Sequence, residues 1–307
     1  MVRKYNMDSK VSVIVPTYKR KVSLDRAINS LMEQTYPNVE IIVIDDNGES
    51  SDYDREVKEI ISKYSQCNKE LIHIKNERNL GSSKTRNRGI FKATGKYITF
   101  LDDDDIYLPE KIAKQVRFME DNKLQMCFTD LVLKNKEGKI VDIRKRNYLT
   151  SYDRETLLKC HLMYHITGTD TFMYTREFLH AIGGFDSIDI GDEFYLMVKT
   201  INSGEKIGYL PSNDTIAYVH GFQEGLSTGD NKVLGENMLY EFKKNYFNKL
   251  SKAEIKYIQF RHYAVLAYVS LKGKKIGSSI KNILAALWAS PTEVFKIGIS
   301  LMKKKSI

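Results

Sequence analysis

Four short apolar runs alternate with helical patterns over the first 105 residues, and this alternation constrains the fold more than any other feature of the chain. The runs are VSVIVP (11–16), VEIIVIDD (39–46), ELIHIKN (70–76) and KYITFLDD (96–103). Between the first two, VSLDRAINSLMEQT (22–35) places Val22, Leu24, Ala27, Ile28, Leu31 and Met32 on one helical face. YDREVKEIISKYS (53–65) and residues 82–93 supply two further helices. Strands this continuously apolar, separated by helices, predict a parallel sheet covered on both faces. Such sheets bind ligands beyond the carboxyl ends of their strands. The polar residues there are Pro16-Thr17-Tyr18, Asp45-Asp46-Asn47, Asn76 to Asn79, and the run Asp102 to Asp105.

Beyond Pro109 the pattern predicts a helix (PEKIAKQVRFMED) and a hairpin of MCFTDLVLK with KIVDI, turned at NKEG. Short strands (TDTFMYT, KIGYLP, TIAYVHG) and two helices (REFLHAI, EFYLMVKTINSG) follow, and from residue 231 the pattern is helical throughout. A boundary is placed near Asp230. The net charge of +9 is unevenly spread: residues 231–307 hold 15 Lys or Arg against 4 Asp or Glu, a charge of +11, which leaves −2 for the rest. The basic character belongs to the tail, and no nucleic-acid partner is expected. Cys67, Cys127 and Cys160 are too few and too scattered for a zinc site or a disulfide framework. With no apolar leader and no uncharged run of roughly 18 residues, the chain is expected in the cytoplasm or peripherally on the inner face of the cell membrane.

Four adjacent aspartates, Asp102 to Asp105, end the fourth strand. One or two acids suffice to favour a following helix N-terminus; four repel one another unless a cation neutralises them. Hard oxygen ligands at a strand end suit Mg²⁺ or Mn²⁺ together with substrate phosphates. Neither GxGxxG nor GxxxxGK[ST] is present, which argues against a dinucleotide dehydrogenase or a P-loop NTPase.

The order VSVIVPTYKR, VIDDNGES, NLGSSKTRNRGIFKATGKYITFLDDDD, IGGFDSIDIGDEFYLMVK resembles the inverting family 2 glycosyltransferases, over about residues 10 to 225. The resemblance implies the α/β GT-A fold, a Rossmann-like mixed sheet flanked by helices, with the C-terminal helices as an extension. Residues 1–230 would be the catalytic domain (nucleotide-binding half about 10–105, acceptor half about 106–230) and 231–307 a basic helical extension. Bacterial transferases that build surface polysaccharides are the nearest in kind.

By that resemblance Pro16, Thr17 and Tyr18 open the uridine pocket, and Asp46 accepts from uracil N3. Arg86 faces the diphosphate side of the cleft, where its fork of donors suits phosphate; Lys84 and Arg88 face solvent or share the role. Asp102 and Asp104 fall in the family's DXD frame. Asp104 is the metal ligand, Asp102 and Asp103 serve ribose or sugar hydroxyls or water on the metal, and Asp105 lies outside the site. Gly183 and Gly184 admit the donor sugar. Asp192 or Glu193 is the general base, with Asp192 in the lead, and His220 completes the metal site or meets the diphosphate. The alternative for Asp192 is helix capping, and for His220 a packed histidine.

The implied reaction is an in-line transfer from a UDP-sugar to a hydroxyl of a saccharide or lipid-linked acceptor, assisted by Mn²⁺ or Mg²⁺. The rival readings are a catalytically silent nucleotide-sugar-binding or scaffolding protein and a nucleotidyltransferase, which would carry a glycine-rich basic loop in place of PTYKRK. The tail, with Ile283, Leu284, Leu287 and Trp288 on one face, fits either an anionic membrane surface or packing on the catalytic domain or a second subunit of a homo-oligomer.

Overall fold

Val11, Val13, Ile14, Val15 and Ile41 to Ile44 have no solvent exposure, and the two strands they form lie side by side in a seven-stranded sheet. The structure, a computed structural model, describes residues 8–48, 52–188, 190–219 and 229–296. In chain order the first half consists of β1 (Val11–Thr17), α1 (Val22–Met32), β2 (Val39–Asp45), α2 (Asp52–Lys63), β3 (Glu70–Lys75), α3 (Ser82–Lys92), β4 (Tyr97–Phe100), β5 (Ile106–Tyr107) and α4 (Lys111–Asn122). Then come β6 (Met126–Thr129), β7 (Leu131–Lys134), β8 (Ile140–Arg144), α5 (Arg154–Tyr164), a 3-10 turn at Thr169–Thr171, β9 (Met173–Thr175), α6 (Arg176–Ala181), α7 (Asp192–Asn202), β10 (Ile207–Leu210) and β11 (Thr215–Tyr218).

The large sheet runs β10-β6-β9-β4-β1-β2-β3, parallel except for β9, which is antiparallel to both β4 and β6. Register aligns Thr17 with Asp45 and Asp45 with Lys75, so the carboxyl ends of β1, β2 and β3 finish level. A second sheet, β5-β11-β7-β8, includes part of the predicted hairpin: LVLK pairs with β8, whereas MCFT separates as β6 of the large sheet. Helix α3 crosses β1 closely at Gly89, where a Cβ would meet Ile14 Cγ2 at 2.5 Å. At the amino end of the sheet Glu40 is fully buried. Burial alone would raise its proton affinity, but Lys10 at 2.7 Å, Ser12 and Thr94 hold it at about 2.

Two further sequence expectations change. TDTFMYT is a strand only over its last three residues, because Gly168 at φ 113 turns the chain and Thr171 N donates back to Gly168 O at 2.9 Å. Helix α5 has no counterpart among the expected elements, although Asp153 accepts from the Thr156 amide at 2.9 Å, as helix-opening acids do.

The chain divides into two compact units, one within 1–157 and 166–219, the other within 158–165 and 220–307. The second holds α8 (Gly229–Lys244), α9 (Lys252–Lys272) and α10 (Ile276–Ala289). Ser251 and Glu254 form a capping box at the start of α9. Phe260 of α9 packs with Ala286 and Ala289 of α10. Among the described residues no helix is long and apolar enough to cross a membrane. No disulfide joins the three cysteines, and Cys127 and Cys160 are buried.

Candidate active site

The level strand ends bring three of the predicted segments together. Thr17, the last residue of β1, donates through Oγ1 to Asp103 Oδ2 at 2.7 Å, and the Tyr18 amide donates to the same oxygen at 3.2 Å. Asp103 is buried, and loss of hydration, reinforced by the charge of Asp104, pushes its carboxyl up to about 8. Pro16 is the penultimate residue of β1. Tyr18 itself is 43% exposed, with Lys19 Nζ 4.9 Å from its ring centre.

Asp46 is buried and accepts from Asn76 Nδ2 (2.7 Å), the Leu80 amide (2.8 Å) and the Gly81 amide (3.1 Å). It thereby fixes the turn that launches α3. Asp45 faces inward and accepts from both nitrogens of Asn47. Asn76 thus acts through Asp46, a partnership visible only once β2 and β3 lie side by side.

Arg86, on the buried side of α3, joins two regions far apart in sequence. Nη2 donates to Asp102 Oδ1 at 2.6 Å and Nη1 to Asp192 Oδ2 at 2.8 Å, while the guanidinium lies 5.5 Å from the Phe185 ring centre. Burial works against its charge, but Asp102 and Asp192 hold its proton affinity above that of a free arginine. Its Nε is buried without a hydrogen-bond partner.

The acidic run is not extended. Asp105 N donates to Asp102 O at 3.1 Å, closing a turn over Asp103 and Asp104. In an extended strand Asp102 and Asp104 would share a face; in this turn Asp102 and Asp105 are the neighbours. Asp170, in the 3-10 turn before β9, joins them and accepts from the Asp102 amide at 2.9 Å. One carboxylate oxygen from each of Asp102, Asp105 and Asp170 lies within 4.8 Å of the others. Burial and then mutual repulsion raise Asp105 well above the carboxylate range and Asp170 to about 7. Three converging hard oxygens whose charges are mutually costly fit a divalent cation.

Asp104 instead points to Arg20, 3.2 Å away, and its carbonyl accepts from Arg26 Nη2 at 2.6 Å. The expected division of the run, with Asp104 on the metal and Asp105 outside the site, therefore differs from the observed grouping. None of Asp105, Asp170, Arg20 and Arg26 was an expected site residue: Arg20 and Asp105 lie in the quoted segments without an assigned role, and no motif marks Arg26 or Asp170. His220 lies outside the described residues.

At the start of α7 the two expected base candidates differ sharply. Asp192 Oδ2 takes Arg86 and the hydroxyls of Ser82 (3.3 Å) and Ser83 (3.2 Å), while Oδ1 accepts from the Glu193 amide at 2.9 Å. Glu193 is half-buried; desolvation and the adjacent Asp192 charge raise its carboxyl to about 8. Gly184 sits at φ +59, and a Cβ there would meet Asn87 Oδ1 at 2.6 Å. Asn87 exchanges hydrogen bonds with Phe185, accepting from its amide at 2.8 Å and donating to its carbonyl at 2.7 Å. The close approach that glycine permits here is to Asn87, the neighbour of Arg86.

Residues 12–183 match the family model for glycosyl transferase family 2. An uncharacterized glycosyltransferase of Methanocaldococcus jannaschii is 35% identical over 158 residues, 50% of this chain and 53% of its own. A putative teichuronic acid biosynthesis glycosyltransferase, TuaG of Bacillus subtilis, is 30% identical over 154 residues, 49% of this chain and 59% of its own. The UDP-Glc:alpha-D-GlcNAc-diphosphoundecaprenol beta-1,3-glucosyltransferase WfaP of Escherichia coli is 35% identical over 120 residues, 39% of this chain and 45% of its own. The chain spans about half the length of these curated relatives. Among solved structures, S. aureus TarS matches with a TM-score of 0.62 at 20% identity, covering 93% of this chain and 82% of that one. The Pyrobaculum calidifontis mannosyltransferase PcManGT, in complex with GDP-Man and Mn²⁺, gives 0.61 at 18%, covering 95% and 80%. The mixed sheet, its flanking helices and the helical C-terminal region have the GT-A architecture of these structures, and the chain belongs to glycosyl transferase family 2.

Proposed function

We propose that the chain is an inverting transferase that moves a sugar from a UDP-sugar to a hydroxyl of a saccharide or lipid-linked saccharide, in the building of a cell-surface polysaccharide. The observation that carries the reading is the double grip of Arg86 on Asp102 and Asp192. One guanidinium ties the acidic loop, suited to the donor diphosphate, to the start of α7, suited to the acceptor. A transferase needs those two ends at a fixed separation. Support for the donor class comes from TarS, solved in complex with UDP-GlcNAc, and from WfaP, a glucosyltransferase whose donor is UDP-Glc.

Glu193 is the general base of this proposal. Asp192 spends its lone pairs on Arg86, Ser82, Ser83 and the Glu193 amide, which makes it a positioning residue. A carboxylate raised to about 8 takes a proton from a hydroxyl more readily than an ordinary one. Asp102, Asp105 and Asp170 would hold Mn²⁺ or Mg²⁺, which when bound supplies charge neutralisation for the leaving diphosphate. Thr17, Tyr18 and Asp103 would line the nucleoside side, with Pro16 setting the end of β1. Asp46 shapes that side by fixing the α3 turn, and Gly184 serves by letting Asn87 hold the Phe185 loop.

The deciding experiment is a donor panel of UDP-, dTDP- and GDP-sugars with Mn²⁺, scored by nucleotide release without acceptor. Release from UDP-sugars, abolished by Asp102→Ala, is the expected result. Failure to bind or turn over any nucleotide sugar would favour the silent scaffold.

A further inference from the structure

Helix α10 has two apolar faces. One, built on Ala286 and Ala289, packs against Phe260 of α9. The other is a stripe of Ile276, Ile280, Ile283, Leu284, Leu287 and Trp288, spaced at helical intervals and exposed along its length; Trp288 is 89% exposed. A helix of a water-facing bundle normally turns charged residues outward. Here the outward face is the apolar one, and the lysines lie beside and before it: Lys272, Lys274, Lys275 and Lys281 are all exposed.

We infer that this stripe is a docking surface for an anionic lipid bilayer. Charge complementarity selects that occupant. From Arg261 to Ile307 the sequence holds nine Lys or Arg and a single acid, Glu293, a charge of +8. Two copies meeting through this stripe would oppose those charges, whereas a surface of anionic headgroups neutralises them. An exposed tryptophan in an otherwise aliphatic stripe suits the headgroup boundary, where its ring buries area and its indole N–H stays hydrated. The helix would lie along the interface rather than across it. This inference is independent of the transferase reading, since lipid binding needs neither donor nor cation.

Trp288 is the sole tryptophan of the chain, so its emission reports on this stripe alone. The full chain is mixed with vesicles of phosphatidylcholine and of phosphatidylcholine with one third phosphatidylglycerol, and both emission and co-sedimentation are read. A blue shift and pelleting with the anionic vesicles, both weakened by salt, are expected. The double change Ile280→Glu, Leu284→Glu, on exposed positions that leave the α9 contact intact, should cut pelleting by roughly tenfold or more. Phe91→Glu, at an exposed aromatic on α3, should not. The inference is overturned if wild type stays in the supernatant with anionic vesicles, or if the double variant pellets like wild type. It is equally overturned if Trp288 emission is already blue in lipid-free buffer and the chain sediments as a dimer that the double change dissociates, because a second copy would then own the stripe.

Discussion

Arg86 and Asp192 are 106 positions apart in the chain, and their side chains meet at 2.8 Å with both nearly excluded from water. Removing one member of such a pair strands the other. Arg86→Met is expected to cost about 3–5 kcal/mol, and Arg86→Met with Asp192→Leu to recover part of it, because replacing both charges removes the stranded one. Urea denaturation of the three proteins checks this; equal stability of single variant and wild type would show that the pair contributes little.

The proton affinity of Glu193 sets a direction for activity. With its carboxyl at about 8, the fraction in the basic form grows with pH, so transfer should rise about tenfold per pH unit below that value and level off above it. Glu193→Gln should keep UDP binding yet lose roughly 10²–10⁴ of the rate, with the pH slope gone. If Glu193→Gln transfers normally, the base role passes to Asp192.

Turn geometry distinguishes the acids of the run. Mn²⁺ should raise the thermal midpoint of wild type and of Asp104→Asn, but not of Asp105→Asn or Asp170→Asn. Asp170→Asn should also stabilise the metal-free protein, since it relieves repulsion among buried carboxylates. A lost Mn²⁺ response in Asp104→Asn, with the response kept in the other two, would restore the simple DXD frame.

Stability should carry the same signature. Asp103, Asp170 and Glu193 bind protons more tightly folded than unfolded. Between about pH 4.5 and 7 the folded state therefore holds more protons than the unfolded one, and stability falls as pH rises. Buried Lys111 and Lys243, both lowered to about 7 by desolvation, work in the opposite sense above that point. Urea midpoints at pH 5, 6 and 7 should decline in the metal-free protein; a rising series would contradict the burial of these acids.

Gly184 offers a local test. Gly184→Ala imposes a left-handed backbone on a residue with a Cβ and drives it into Asn87, so a loss of about 1–3 kcal/mol is expected. Asn87→Gly in the same background should return part of that loss if the clash with Asn87 is the cause.

Much of the fold was legible because burial on both faces of a parallel sheet leaves uninterrupted apolar runs, as in Ile41 to Ile44. The hairpin at residues 135–138 was legible from its turn residues. Helix α5 was not, because RETLLKCHLMY shows no clear apolar face to a periodic reading. In the candidate site, Arg86, Asp102 and Asp192, whose side chains meet in the structure, had each been singled out through the resemblance. Asp170 was not: it stands 68 residues from Asp102, in a segment that reads as a strand, and only the sheet topology brings it home. Asp104 and Asp105 are set apart by the turn that Asp105 N closes on Asp102 O and by their partners, Arg20 for Asp104 and the Tyr218 amide for Asp105, none of which the run of aspartates itself encodes.

The reversed direction of β9 has an architectural consequence. A parallel strand beside β4 would offer the site only the loop that follows it, but an antiparallel one offers the loop that precedes it. The segment upstream of Met173, which carries Asp170, thus reaches the acidic cluster from the amino end of the strand, while Thr175 and α6 continue from its far end. One reversed strand thereby lets the third carboxylate of the acidic cluster come from ahead of a strand, whereas Asp102 and Asp105 follow β4.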